Sequence, residues 1–146
     1  MKTVEIYTDG ACSYNPGPGG WGVVLLYGGH EKQMSGYCSE TTNNRMELLA
    51  VIKGLEQLKE ECKVLLYSDS AYVVNAFEKK WIDDWSQKNW KTSGNKEVKN
   101  IDLWKELFIL SKKHDITWVK VKGHADNKYN NICDMLARSE VEKHQA

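Results

Sequence analysis

The pattern of apolar and polar positions divides the chain into stretches with strand-like alternation and stretches with helical spacing. The first part alternates and is rich in β-branched and aromatic side chains, with Pro and Gly clusters between the alternating runs. Three strands are predicted there, over residues 3–9, 21–27 and 32–39. Their short connections predict an antiparallel meander, whose first strand ends at Asp9.

After the meander the apolar residues recur with the period of a helix. Asn44-Arg45-Met46-Glu47 has the form of a capping box, which predicts a helix start there. Further elements are predicted as a strand over 63–68, helices over 70–77 and 101–112, a strand over 115–121, and a closing helix with Ile132, Met135, Leu136 and Ser139 on one face. Helical crossovers make the later strands parallel, so we expect an α/β fold with a mixed five-stranded sheet and helices on both faces.

Composition favours one globular domain. The chain has 146 residues, of which 41% are apolar and 27% charged, so we expect a single domain over residues 1–146. No apolar run approaches the ~20 residues of a membrane span, and the N-terminus lacks a signal-peptide layout, which predicts a cytoplasmic protein. The four cysteines form no Cys-x-x-Cys pair, so they are interpreted as reduced thiols. The absence of a sustained exposed apolar stripe predicts a monomer with no obligate protein partner.

The zero net charge conceals an uneven distribution. Residues 1–78 carry six basic and ten acidic side chains, whereas residues 79–99, here called the basic segment, carry six Lys and three acids. Trp81, Trp85 and Trp90 are interleaved with those lysines. A polyanion could be held by the basic segment while metal ions mask the acidic part.

Two predicted strands end in a carboxylate. Asp9 and Asp69 each follow an apolar strand, and ligands in open α/β sheets bind at the carboxyl ends of strands. If these strands are neighbours, the two carboxylates repel unless they share a proton or a cation such as Mg²⁺. The alternative is that each Asp caps the element that follows it.

Two further acids lie on predicted helices. Glu47 is in the first turn of its helix, where the ordinary role is to compensate the helix dipole. Asp134 lies on the closing helix, and the alternative for it is a solvated helix charge. No spacing in the sequence indicates that Glu47 or Asp134 lies near Asp9. The residues alone therefore support only a metal site formed by Asp9 and Asp69.

A resemblance to a known family covers essentially the whole chain in order. The matching motifs are Tyr-Thr-Asp-Gly-Ala-Cys at 7–12, Asn-Pro-Gly-Pro-Gly-Gly-Trp-Gly at 15–22, Thr-Asn-Asn-Arg-Met-Glu-Leu at 42–48, Ser-Asp-Ser at 68–70, Val-Lys-Gly-His-Ala at 121–125 and Cys-Asp at 133–134. Together with the basic segment and the helix after it, these motifs resemble the bacterial type 1 ribonuclease H family. Asp126 and Asn131 depart from that family's usual Gly and Glu, and Tyr72 stands where the family often has Gln.

The resemblance implies the ribonuclease H fold and hydrolysis of the RNA strand of RNA/DNA hybrids without sequence preference, giving 5′-phosphate and 3′-hydroxyl ends. It implies that the metal ligands are Asp9, Glu47, Asp69 and Asp134. Two Mg²⁺ ions, ~3.5–4 Å from each other, would then lie on either side of the scissile phosphate. Mn²⁺ would substitute for Mg²⁺. His124 is similar to the family's loop histidine, which assists proton transfer or product release. Its alternative is an ordinary exposed loop histidine.

The resemblance also implies which residues contact the hybrid. Asn15, Asn43 and Asn44 carry amides that can donate to and accept from 2′-hydroxyls, and Thr42 and Arg45 suit phosphate contacts. Along the basic segment and just after it, the residues expected to follow the DNA strand are Trp81, Lys88, Trp90, Lys91, Lys99 and Asn100. The alternative is that the tryptophans anchor a small subdomain, and this is favoured for Trp85.

Three other functions compete with hybrid cleavage. An inactive hybrid-binding module predicts loss of one of the four acids, and all four are present. An integrase-like strand transferase on the same fold predicts long flanking domains. A glycoside hydrolase with paired carboxylates leaves the basic segment and its tryptophans unexplained.

Overall fold

The computed structural model of the protein describes residues 1–122 and 127–145. Within these ranges the chain forms five strands and five helices. The strands are β1 (Lys2–Cys12), β2 (Gly17–Tyr27), β3 (His30–Thr41), β4 (Cys62–Ser68) and β5 (Asp115–Lys120). The helices are α1 (Asn43–Leu55), α2 (Ala71–Glu78), α3 (Trp81–Gln87), α4 (Ile101–Ser111) and α5 (Lys128–Lys143).

The strands form one mixed sheet in the order β3-β2-β1-β4-β5. The first three strands pair antiparallel, as the tight connections between them predicted. β4 lies parallel to both β1 and β5. Helices α2, α3 and α4 form the crossover from β4 to β5, and α1 returns the chain from β3 to β4. The predicted α/β fold with a mixed five-stranded sheet is therefore confirmed.

Helices α1 and α5 cover opposite faces of the sheet. A Cβ added to Gly22 of β2 would lie 2.4 Å from the Cys133 carbonyl oxygen in α5. The next residue, Val23, faces the other helix, because a Cβ on Gly54 of α1 would approach its Cγ1 at 3.3 Å. Successive side chains of a strand point to opposite faces, so these two contacts assign the two helices to opposite sides.

The glycines of β2 let α5 approach the sheet closely. A Cβ on Gly20 would lie 2.2 Å from the Ala137 carbonyl oxygen, closer than any real side-chain contact. The Pro- and Gly-rich run at 15–20 was interpreted from sequence as a turn, but β2 already begins at Gly17. Its glycines therefore serve helix packing as well as the turn.

The hydrophobic core lies mainly between α1 and the sheet. Its largest fully buried side chains include Ile6, Leu48, Ile52, Leu66 and Trp104. Burial of each large aliphatic side chain stabilises the fold by about 1.5–3 kcal/mol. A smaller cluster of Tyr7, Val24 and Cys133 lies on the other face, against α5. No helix in the described ranges has the length and apolar character needed to cross a membrane.

Helix α1 begins earlier than the predicted capping box. Its N-cap is Thr42, whose Oγ1 accepts a hydrogen bond from the Arg45 amide at 3.2 Å. The capping box at 44–47 is therefore wrong. The Glu47 carboxylate does not return to its own helix start, because it turns toward β1 and is buried.

Three other predictions need correction. β1 does not end at Asp9 but continues to Cys12, because its antiparallel pairing with β2 extends that far. Helix α3 was not predicted, since its seven residues are too few to establish a period. The buried face of α5 carries Cys133, Ala137 and Val141. Met135, predicted on the buried face, is 52% exposed.

Candidate active site

Three carboxylates meet at one edge of the sheet. One oxygen each from Asp9, Glu47 and Asp69 lies within 4.8 Å of the other two. Asp9 and Glu47 are buried, and Asp69 is half-buried. These three residues, here called the carboxylate triad, come from β1, α1 and the turn after β4.

Strand register brings the two aspartates together. The last parallel pair between β1 and β4 is Tyr7 opposite Tyr67, so Asp9 and Asp69 each lie two residues further along. Beyond Asp69 the chain leaves the sheet, because Ser70 caps α2 by accepting a hydrogen bond from the Val73 amide at 3.3 Å. The helix cap next to Asp69 is thus Ser70, which removes the capping alternative for that aspartate.

Gly10 brings Glu47 to the aspartates. A Cβ at Gly10 would lie 2.5 Å from the Glu47 nitrogen, so only glycine allows α1 to approach β1 this closely. The Gly10 amide donates to Asp9 Oδ1 at 3.0 Å and also to Glu47 Oε1. One backbone N–H therefore orients two carboxylates of the carboxylate triad.

The electrostatics of the carboxylate triad favour a cation. Burial and then the Asp69 charge raise the pKa of Asp9 to about 7. The pKa of Glu47 is raised well above its usual range by burial and then by the Asp9 charge. Among the residues with described placement, no Lys or Arg forms an ion pair with any of the three. An all-oxygen, anionic donor set without a protein counter-ion fits a hard divalent ion such as Mg²⁺.

Asp134 lies beside the carboxylate triad without belonging to its close cluster. Its charge contributes to the raised pKa of Asp9. Its Oδ2 accepts a hydrogen bond from Arg138 Nε at 3.0 Å and forms an ion pair with Nη2 at 2.9 Å. The structure thus places Asp134 near the site and half-buried, and its role as a metal ligand stays a prediction. His124, the fifth predicted catalytic residue, lies outside the described residues.

The candidate hybrid contacts near α1 form a compact group. Asn15 Oδ1 accepts a hydrogen bond from the Asn43 amide at 3.0 Å, which ties the loop after β1 to the start of α1. Asn43 and Asn44 lie in the first turn of α1, while Thr42 acts as the helix cap. Asn43 and Asn44 are both exposed, whereas Thr41 just before the helix cap is buried. These amides therefore lie within about one helical turn of Glu47.

Arg45 and Asn100 are engaged with other side chains. The Arg45 guanidinium forms two hydrogen bonds with Asp102, at 3.0 and 2.7 Å, and a third with Asn100 Oδ1 at 3.3 Å. The pKa of Asp102 is lowered by its hydrogen bond with Arg45. This pairing does not support the predicted free phosphate contact by Arg45.

The tryptophans of the basic segment have different environments. Trp81 is 41% exposed, with Lys79 Nζ 5.5 Å from its ring centre. Trp85 meets Trp104 edge-on at 5.3 Å, which confirms its predicted anchoring role. Trp90 packs against Phe108 at 5.7 Å, so its ring mainly holds the segment on α4. The remaining candidates, Lys88, Lys91 and Lys99, are exposed.

Sequence reasoning missed three residues that position this site. Gly10 lies in one of the family motifs and had no predicted role, yet it fixes the distance between α1 and β1. Asp102 and Tyr72 were not identified as partners of Arg45 and Asn100. No local sequence signal connects residues 45, 72 and 102, because their contacts depend on how α1, α2 and α4 pack.

Comparison with known proteins decides the family. The sequence model of the RNase H family matches residues 1–142 of this chain. The chain belongs to the RNase H family. The predicted enzyme class, a ribonuclease H, is thereby confirmed.

Relatives in the RNase H family match over nearly the whole chain. The ribonuclease H of Acetivibrio thermocellus is 61% identical over 143 residues, covering 98% of this chain and 97% of the relative. That of Thermoanaerobacter pseudethanolicus is 60% identical, covering 98% and 92%. Among solved structures, LC9-RNase H1 superposes with a TM-score of 0.86 at 30% identity, covering 99% of this chain and 74% of that one. LC11-RNase H1, solved in complex with an RNA/DNA hybrid, gives a TM-score of 0.71 at 25% identity, covering 98% and 99%.

Proposed function

We propose that this protein is an endonuclease that hydrolyses the RNA strand of RNA/DNA hybrids by two-metal-ion catalysis, leaving 5′-phosphate and 3′-hydroxyl ends. The observation that carries the proposal is the carboxylate triad, with its oxygens within 4.8 Å, in a chain of the RNase H family. The hybrid complex of LC11-RNase H1 supports the choice of substrate.

The metal ligands in this proposal are Asp9, Glu47, Asp69 and Asp134. Two Mg²⁺ ions, for which Mn²⁺ substitutes, would supply a water nucleophile at neutral pH and stabilise charge on the leaving oxygen. The Gly10 amide holds the Asp9 and Glu47 carboxylates in place before any ion arrives. This preorganisation reduces the rearrangement needed during the reaction.

Asp134 and His124 take separate roles in the proposal. The Asp134 carboxylate can bind an ion without leaving Arg138, because Oδ2 alone makes both the hydrogen bond and the ion pair with that side chain. The other oxygen then completes the ligand set. His124 moves a proton or assists product release, a role that rests on the family resemblance.

Substrate selection in the proposal uses two surfaces. The amides of Asn43 and Asn44, with Asn15, face the RNA strand and distinguish it by its 2′-hydroxyls. Exposed lysines and Trp81 of the basic segment hold the DNA strand by charge and stacking. Asp83 and Asp84 on α3 reduce the positive charge of the basic segment, so we expect its binding to the hybrid to be weak and sensitive to salt.

We also propose that the enzyme acts as a monomer in the cytoplasm, without an obligate protein partner. Large apolar side chains that are exposed in the described parts of the chain lie on different elements, such as Ile109 on α4 and Met135 on α5. Such scattered exposure is ordinary for a monomer.

The test is cleavage of an end-labelled RNA/DNA hybrid in Mg²⁺, beside double-stranded RNA, single-stranded RNA and duplex DNA. We expect the RNA of the hybrid alone to be cut, at many positions, and cutting to cease in EDTA. The fragments should carry 5′-phosphates that phosphatase removes. If the hybrid binds but stays intact in both Mg²⁺ and Mn²⁺, the chain is a binding module and the proposal fails.

A further inference from the structure

Arg45 and Asp102 form a connection between the helix that carries Glu47 and the end of the basic segment. Arg45 is in the first turn of α1, and Asp102 is in the first turn of α4, shortly after residues 79–99. Their two parallel hydrogen bonds, at 3.0 and 2.7 Å, have the fork geometry of an Arg–carboxylate pair. The pair therefore fixes α1 and α4 to each other with a defined orientation as well as a charge attraction.

The amide of Asn100 is held at both ends by the same network. Its Oδ1 accepts from Arg45 Nη1 at 3.3 Å, and its Nδ2 donates to the Tyr72 hydroxyl at 2.9 Å. Trp104 Nε1 also donates to that hydroxyl, at 3.0 Å. The backbone of Asn100 is left-handed, with a φ of 60°, so its side chain leaves the chain in a direction that ordinary helix residues do not share.

We infer that Arg45 and Asp102 are positioning residues that hold Asn100 and the basic segment in register with the metal-binding carboxylates. This inference rests on the proposed function. Arg45 does not contact phosphate itself, because its guanidinium is committed to Asp102 and Asn100. A phosphate at its remaining donors would lie next to the Asp102 carboxylate and be repelled.

The direction of the KM change in Asp102→Asn distinguishes a positioning role of Arg45 from direct binding of phosphate by Arg45. Asp102→Asn removes a negative charge close to the polyanion site, so electrostatics alone predicts a lower KM for hybrid. If Asp102 holds Arg45 and Asn100 in place, the same substitution raises KM instead, by about five- to tenfold, with kcat at saturation nearly unchanged. A simple loss of folded protein would lower kcat and leave KM unchanged.

The matched control is Asp83→Asn. Asp83 is also half-exposed and paired, with Lys112 at 3.7 Å, and its substitution makes the same change in net charge outside the network. We expect its KM to fall, because the substitution removes a negative charge from the basic segment without disturbing the network of Arg45, Asp102 and Asn100. A lower KM for Asp102→Asn as well would overturn the inference and show that Asp102 merely masks a phosphate-binding Arg45.

Arg45→Lys gives a second, independent test. Lysine keeps the charge for a phosphate contact but cannot reproduce the fork that binds Asp102 and Asn100 together. Positioning predicts that KM rises about as much as in Asp102→Asn, and that the rise is clearly smaller when Asn100 is already replaced by Ala. Wild-type KM in Arg45→Lys, or additive effects with Asn100→Ala, would contradict the inference. If the wild-type chain cuts no hybrid in the same assay, the proposed function has failed, and the inference with it.

Discussion

Replacing Asp69 by Asn is expected to reduce kcat on an RNA/DNA hybrid by about a thousandfold or more, because the substitution removes one charged ligand from the centre of the carboxylate triad. One Asp69 carboxylate oxygen lies within 4.8 Å of an oxygen of both other carboxylates, so its charge acts directly on the ion-binding position. Asn has the same shape and leaves the Ser70 cap of α2 intact. The fold should therefore persist while the chemistry is lost.

The control for this prediction is Asp115→Asn. Asp115 is the exposed first residue of β5, at the opposite end of that strand from the catalytic edge, and its substitution makes the same chemical change. We expect wild-type kcat for Asp115→Asn, and near-wild-type hybrid binding for Asp69→Asn. Rapid cleavage by Asp69→Asn in Mg²⁺ would mean that the carboxylate triad is not the reaction centre.

Replacing Asp9 by Asn is expected to stabilise the metal-free protein by about 1–3 kcal/mol above neutral pH. The pKa of Asp9 is raised from an ordinary 3.8 to about 7, first by burial and then by the Asp69 charge. Keeping this group ionised in the folded state therefore costs free energy. An amide of the same shape avoids that cost, at the expense of activity.

The raised pKa of Asp9 also determines how the free energy of unfolding of the metal-free protein depends on pH. Between its ordinary pKa of 3.8 and its raised pKa of about 7, Asp9 keeps a proton in the folded protein that the unfolded chain has lost. The contribution of Asp9 to stability is thus complete below its unfolded pKa and is lost as the pH rises through about 7. The amide introduced by Asp9→Asn cannot titrate, so the free energy of unfolding of the variant should fall less over this range.

Urea unfolding in EDTA at several pH values checks this prediction. Adding Mg²⁺ should restore stability to the wild type at neutral pH and have little effect on Asp9→Asn, because binding to the folded state alone stabilises it. A variant that is less stable than the wild type at every pH would show that Asp9 acts chiefly through its hydrogen bond with Gly10.

The sheet was largely predictable because its determinants are local. Alternation and turn residues indicated the meander, and helical connections made β4 and β5 parallel. The same logic predicted that Asp9 and Asp69 lie close together if their strands are neighbours, and each lies two residues beyond the last parallel pair of β1 and β4. Two features of the fold were not predicted, for physical reasons. Helix α3 is too short to show a helical period of apolar residues, and β1 extends past Asp9 because it pairs with β2.

The rest of the site depends on packing between distant elements. Glu47 reaches Asp9 only because Gly10 lets α1 pack closely against β1. No spacing of residues in the sequence indicates this contact. Arg45 was assigned to phosphate by its residue type, and the sequence did not indicate that Asp102 on α4 would pair with it. The resemblance to relatives therefore supplied Glu47 and Asp134, which the residues alone did not.

The most direct measurement of the central claim is the location of a bound divalent ion by paramagnetic broadening of amide signals with Mn²⁺. We expect the Gly10 amide, which donates to both Asp9 and Glu47, to broaden first together with amides around Asp69, and Mg²⁺ to compete. This broadening should be lost in Asp69→Asn. Broadening centred elsewhere, for example on the exposed Glu60 at the other end of the sheet, or unchanged in Asp69→Asn, would contradict a metal centre at the carboxylate triad.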